Sequence, residues 1–266
     1  MSGDEVFVLC VSAAATLFFA IAWLLTALRA PPLVCPIGRR WPLWLTPVAC
    51  GAFLFIVLRH AAADDVTDDP KYIAMYLLLG IAWLGILQRF SVWYGLYARQ
   101  DIVERRNTAA GIALSGYMLG ITFSYAGGNI GNGPGWWVVL FSAALAGTAL
   151  ILLWMAVDAV TGLTDRVTIN RDIASGLRLG AVLTAWGLIL GRAVAGDWVS
   201  AGATAADFVQ MGWPVVAVAA AEVCICQIAR LSPDRPHGDP MLAGVIPALF
   251  YLGGSAAYVA SVGSLP

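Results

Sequence analysis

Eight nearly uninterrupted apolar stretches, each roughly the 20 residues that a helix needs to cross the hydrocarbon of a bilayer, set the terms for this chain. They are residues 6–28, 43–58, 72–97, 108–126, 136–157, 173–194, 207–229 and 241–262. The second is the weakest, being short and carrying Pro47. The third contains Gln88 and Arg89, so its last turns are expected to leave the hydrocarbon. Composition agrees. The 266 residues are 60% hydrophobic and only 12% charged, where a soluble domain carries about 25% charge. The expected fold class is all-α, a polytopic transmembrane helix bundle with the lipid bilayer as its solvent.

The first stretch is too easily read as a signal peptide. Asp4 and Glu5 precede it, where a signal would carry basic residues, and Arg29 follows it. It is read as a retained helix whose amino terminus lies outside. Arginines then test the count of crossings, because cytoplasmic connections gather them. Connections on the inner side would hold Arg29, Arg39, Arg40, Arg99, Arg105, Arg106, Arg166, Arg171, Arg230 and Arg235, which is ten. The outer ones would hold Arg59, Lys71 and Arg192, which is three. This sorting predicts eight crossings in a bacterial inner membrane, with both termini extracytoplasmic. The acidic residues 64–69 fall outside, where the rule allows them.

Three of the inward connections lead into similar helix starts: "NTAAGIALSG" from Asn107, "DIASGLRLGA" from Asp172 and "DPMLAGVIPA" from Asp239. Each places a small residue and then glycine early: Ala110–Gly111, Ser175–Gly176, Ala243–Gly244. Cys50–Gly51 is a fainter fourth copy. Asn107 and Asp172 have the chemistry of helix caps. Glycines four apart suit close backbone packing in lipid, where hydrophobic drive between helices is weak. The expected organisation is one membrane domain of four hairpins, residues 6–58, 72–126, 136–194 and 207–262. The stretch "ARQDIVERRNTAAGIALSGYMLG", with "DRVTINRDIASGLRLGAVL" as a divergent copy carrying Asp172 in place of asparagine, resembles the bacterial inner-membrane family called domain of unknown function three-fifty. That resemblance covers roughly residues 84–194. It implies a polytopic inner-membrane protein and no assigned activity.

The candidate sites are few. Glu222 lies about eight residues before Arg230, and Arg178 about six after Asp172. At 1.5 Å per residue they stand roughly 12 and 9 Å from the same end of antiparallel neighbours. An Arg178–Glu222 pair is expected, either as a static strut or as part of an ion or proton path. Arg192 and Asp207 repeat the arrangement near the outer end. Asp158 is expected near the inner end, facing Arg105 and Arg106. Residues 125–137, "YAGGNIGNGPGWW", have the glycines of a phosphate loop but lack its Gly-Lys-Ser/Thr, and Lys71 is the only lysine in the chain. They read as a tight outer turn, with Trp136 and Trp137 at headgroup level. The alternative is a re-entrant segment offering the amides of Asn129 and Asn132.

Other classes find no support in the sequence. A net charge of −1 gives no field for nucleic acid. His60 and His237 belong to opposite ends, so paired haem or zinc histidines are not expected; neither is any metal or cofactor. The five cysteines, Cys10, Cys35, Cys50, Cys224 and Cys226, have no metal spacing and read as free thiols. No base accompanies Ser115 or Ser142, and the chain is not expected to be an enzyme. Two functions remain. One is a structural or accessory component of a membrane assembly, as a homo-oligomer or with a membrane-protein partner. The other is a small-solute or ion transporter using Glu222 and Arg178.

Overall fold

The computed structural model describes residues 1–28, 36, 40–229 and 239–263. Arg29, Arg39, Arg230, Arg235, Cys35 and His237 lie outside the described residues. The helices are α1 (Gly3–Leu28), α2 (Trp41–His60), α3 (Asp64–Thr67), α4 (Pro70–Gln88), α5 (Phe90–Trp93), α6 (Thr108–Gly127), α7 (Trp136–Thr161), α8 (Leu163–Thr168), α9 (Ile173–Ala193), α10 (Ala201–Gly212), α11 (Pro214–Ile228) and α12 (Ile246–Ser261). Ala98–Glu104 and Met241–Val245 form π-helical turns. Eight spans among the described residues are long and apolar enough to cross a membrane. The protein is therefore all-helical and a multi-pass membrane protein.

Local chemistry explains where the spans depart from the sequence reading. The third is interrupted at Arg89, between α4 and α5, and the chain turns away at Gly95, whose φ is 76°. The fifth runs on to Thr161 and stops at Gly162, left-handed at φ 58° as helix C-termini favour. The seventh starts earlier than expected, where the Ser200 hydroxyl caps Ala203 N at 3.1 Å. It then divides into α10 and α11 at Pro214, which has no N–H for the helix ladder.

The centre of the bundle is the pair α6 and α9. Their apolar windows are each 78% buried, against 11% for α1. They run parallel and meet through glycine. A Cβ on Gly116 would overlap the Gly180 backbone, one on Gly187 that of Gly120, and one on Gly127 that of Gly191. Thr184 Oγ1 bonds Gly116 O across this seam at 3.2 Å. Tyrosines then tie α6 to α4: Tyr117 OH donates to Leu87 O at 2.8 Å and Tyr125 OH to Tyr76 O at 2.7 Å.

Connections gather at two ends. At one, the amino terminus, residues 61–69, 128–135 and 194–200 meet: Tyr72 OH donates to Glu5 at 3.0 Å, Gly196 N to Ile130 O at 3.0 Å and Trp198 N to Asn132 O at 2.8 Å. At the other, the loops entering α6 and α9 have the same backbone bonds, displaced by 65 residues (101 to 166, 107 to 172). Asp101 N bonds Tyr97 O, and Arg166 N bonds Gly162 O. Asn107 N bonds Asp101 O, and Asp172 N bonds Arg166 O. Arg106 and Arg171, one residue before each cap, share positive φ at 54° and 55°. Asn107 Oδ1 caps Ala110 N at 3.2 Å and Asp172 Oδ2 caps Ser175 N at 2.9 Å. The Asn107 amide also crosses between the loops, donating to Val167 O at 2.7 Å.

Candidate functional site

Arg178 projects from the inward face of α9 and Glu222 from α11, and the two meet with Nε 2.9 Å from Oε1. Both are buried, at 1% and 0% exposure. Every side of the pair is occupied by protein. Tyr251 OH on α12 donates to Glu222 Oε2 at 2.9 Å. Cys226, four residues along the same face of α11, directs its thiol to Oε1 at 3.1 Å. Arg178 Nη1 donates to Ala243 O. The sequence makes that carbonyl available, because Pro247, four residues on, has no N–H to give it. Arg178 Nη2 reaches Ser175 Oγ at 3.3 Å, and that hydroxyl bonds Asp172 Oδ2 at 2.6 Å.

One continuous hydrogen-bonded string therefore runs Asp172, Ser175, Arg178, Glu222, Tyr251, joining a loop to three helices. Charges this deep are expensive unless paired and bonded, and here the pair is neutral and saturated. Openings lie elsewhere among the described residues. A small cavity of about 40 Å³ at the amino-terminal end is lined in part by Asn129, Asn132 and Ser142. A lateral groove of about 770 Å³ lies between α1, α2 and α4. Neither is lined by Arg178 or Glu222.

The other sequence candidates are not drawn together with this pair. Asp158 Oδ1 accepts from Thr164 N at 2.7 Å, stapling the α7–α8 corner; among the described residues it makes no ion pair with Arg105 or Arg106. Gly162 turns the chain just past Asp158, so a local donor reaches it first. Among the described residues Arg192 and Asp207 form no ion pair either. Asp207 is exposed on α10, while Arg192 bonds Ala195 O at 3.5 Å. Asn129 Nδ2 donates back to Tyr125 O at 2.9 Å, and Asn132 N donates to Asp197 Oδ1 at 2.6 Å. Residues 128–135 thus form a connection stitched to its neighbours at the end of the bundle. Trp137 packs edge-on against Trp198.

The sequence reading missed Tyr251, Cys226 and Ser175. Cys226 had a usable signal, its i+4 spacing from Glu222; Tyr251 had none. It also missed Asp101, a fully buried carboxylate held by Tyr97 N at 2.8 Å and Arg105 Nη1 at 3.2 Å. Burial pushes its carboxyl above the ordinary range, and those two bonds only partly oppose the shift.

A family model described as Domain of Unknown Function (DUF350) matches residues 63–194. The match contains both 65-related loops, the glycine seam and Arg178; Glu222 and Tyr251 fall beyond it. No curated protein and no solved structure matches the chain.

Proposed function

Residues 63–194 belong to the family described as Domain of Unknown Function (DUF350), and from that premise we propose that this membrane protein is a non-enzymatic structural or accessory component of a membrane assembly. The observation that carries the reading is the saturation of the Arg178–Glu222 pair. Each group is bonded to fixed protein atoms, as suits a clamp holding α9, α11 and α12 together. A transport path favours polar groups that converge on a wet or broken region at mid-membrane.

Contacts for a partner or a second copy would come from α12. Gly253, Gly254, Ala256, Ala257 and Ala260 are exposed there, and a Cβ on either glycine would meet nothing within 4 Å. Small residues four apart suit close helix packing in lipid. Our reading places the protein in a bacterial inner membrane with both termini extracytoplasmic and the hairpins repeating. Support comes from Arg40, Arg99, Arg105, Arg106, Arg166 and Arg171, all in connections at the end opposite the amino terminus.

Two measurements test this. Extraction from native membranes in mild detergent should give a complex larger than the monomer, which Gly253→Leu reduces; a lone monomer from the parent counts against the reading. Reconstituted in liposomes, the parent should conduct no more than empty vesicles. A flux present in the parent and abolished in both Glu222→Gln and Tyr251→Phe, with folding intact, would install the transporter reading instead.

A further inference from the structure

The groove between α1, α2 and α4 belongs to neither the polar string nor the contacts proposed for α12. Its floor is apolar, with Phe19, Trp23, Leu43, Leu84 and Met118 among its lining residues. Its volume, about 770 Å³, falls in the range of roughly 300–1,000 Å³ that ligand sites occupy. Two further features restrict what it takes.

The first is depth. On α1 the lining runs from Leu17 to Thr26. Nine rises of 1.5 Å make about 14 Å, close to half of a hydrocarbon core of about 30 Å. A groove one leaflet deep suits an acyl chain, whereas a spanning helix from another protein would need the full thickness. The second is charge. The groove opens toward the arginine-bearing end, where Arg89 and Arg99 line its mouth. Arg99 is held by Glu104 at 3.0 Å. Arg89 is exposed, its guanidinium 5.7 Å from the centre of the Phe19 ring, and among the described residues it makes no ion pair.

We propose that this groove is a binding site for an anionic phospholipid of the bilayer, with one acyl chain against the α1, α2 and α4 walls and the phosphate on the Arg89 guanidinium. A cation at the end of an apolar channel between spanning helices has the recognition chemistry of an acidic headgroup.

The test uses the full chain in nanodiscs of equal phosphatidylglycerol and phosphatidylcholine, released into the gas phase for native mass spectrometry. The parent should retain phosphatidylglycerol over phosphatidylcholine by about fivefold, the worth of one arginine beside an anionic lipid. Arg89→Gln should bring the ratio to about one. Gly51→Leu, at a lining position with nothing within 4 Å of an added Cβ, should fill the groove and lower retention of both lipids. Equal retention by the parent, a preference surviving in Arg89→Gln, or a second copy of the chain in place of lipid would each overturn the proposal. Thermal melts of the two variants, expected to match the parent, separate loss of lipid from loss of fold.

Discussion

Tyr251 and Arg178 bind the two oxygens of one carboxylate, the phenol at Glu222 Oε2 and the guanidinium at Oε1, each at 2.9 Å. The carboxylate is thereby shared by α9 and α12, which also pack against each other, and all three side chains are buried. Through these bonds Glu222 links the carboxyl-terminal helices to α9 of the matched segment, beside the direct packing of α12 on α9.

Removing the acid should therefore weaken the protein far more than removing a surface charge. Glu222→Gln leaves Arg178 buried without its counter-charge, an effect of about 3–5 kcal/mol. Thermal melting in detergent should drop by roughly 10 °C. Joint replacement by Arg178→Leu and Glu222→Leu should recover part of that loss. A single mutant that melts like the parent would contradict the clamp.

Tyr251→Phe should be milder. It strips one hydrogen bond from a buried carboxylate oxygen and should destabilise by about 1–3 kcal/mol. The loss should appear first as faster hydrogen exchange in α12, since Tyr251 is where that helix meets the acid.

Glycines should divide sharply by location. Gly116→Leu places a side chain on the Gly180 backbone. Overpacking costs about 1–3 kcal/mol where neighbours can move, and more where the obstacle is main chain, so the variant should fail to give a monodisperse protein. Gly253→Leu meets nothing inside the chain and should fold normally. Size-exclusion profiles of the two compare them directly.

Asn107→Ala removes both a cap and the donor to Val167 O. A cap is worth about 1 kcal/mol and an orphaned buried carbonyl about 1–3 kcal/mol, so stability should fall by about 2–4 kcal/mol. Asn107→Asp keeps the cap but loses the donor and should lie between. Denaturation of the three proteins side by side checks the order.

Asp101 gives a pH signature. In the unfolded chain its carboxyl titrates at the ordinary value; folded, burial raises it. Between those two values the folded state holds more protons. Stability should fall as pH rises through that window and level off above the folded value. Asp101→Asn should flatten this dependence in melts collected upward from about pH 4.

The spans were legible because a bilayer imposes one length and one polarity on every crossing. The caps Asn107 and Asp172 were legible for a similar reason: their chemistry is local. Arg178 and Glu222 came from depth arithmetic, which works when both depths are counted from the same end of the bundle. Arg192 and Asp207 failed under the same arithmetic because depth says nothing about direction, and Asp207 faces outward on α10. Asp158 failed because a turn at Gly162 brought a nearer donor. Tyr251 was hidden because its partner lies 29 residues away on another helix. The parallel meeting of α6 and α9 was likewise invisible: glycine spacing announces close packing without naming the partner.

That glycine seam also sets where the molecule can bend. A joint made of carbonyls and α-carbons holds few rotatable groups and no slack, so α6 and α9 travel as a single spar. Relative motion is left to the outer pieces: Pro214, with no N–H for the helix ladder, lets α10 swing against α11, whereas the carbonyl freed by Pro247 is pinned by Arg178.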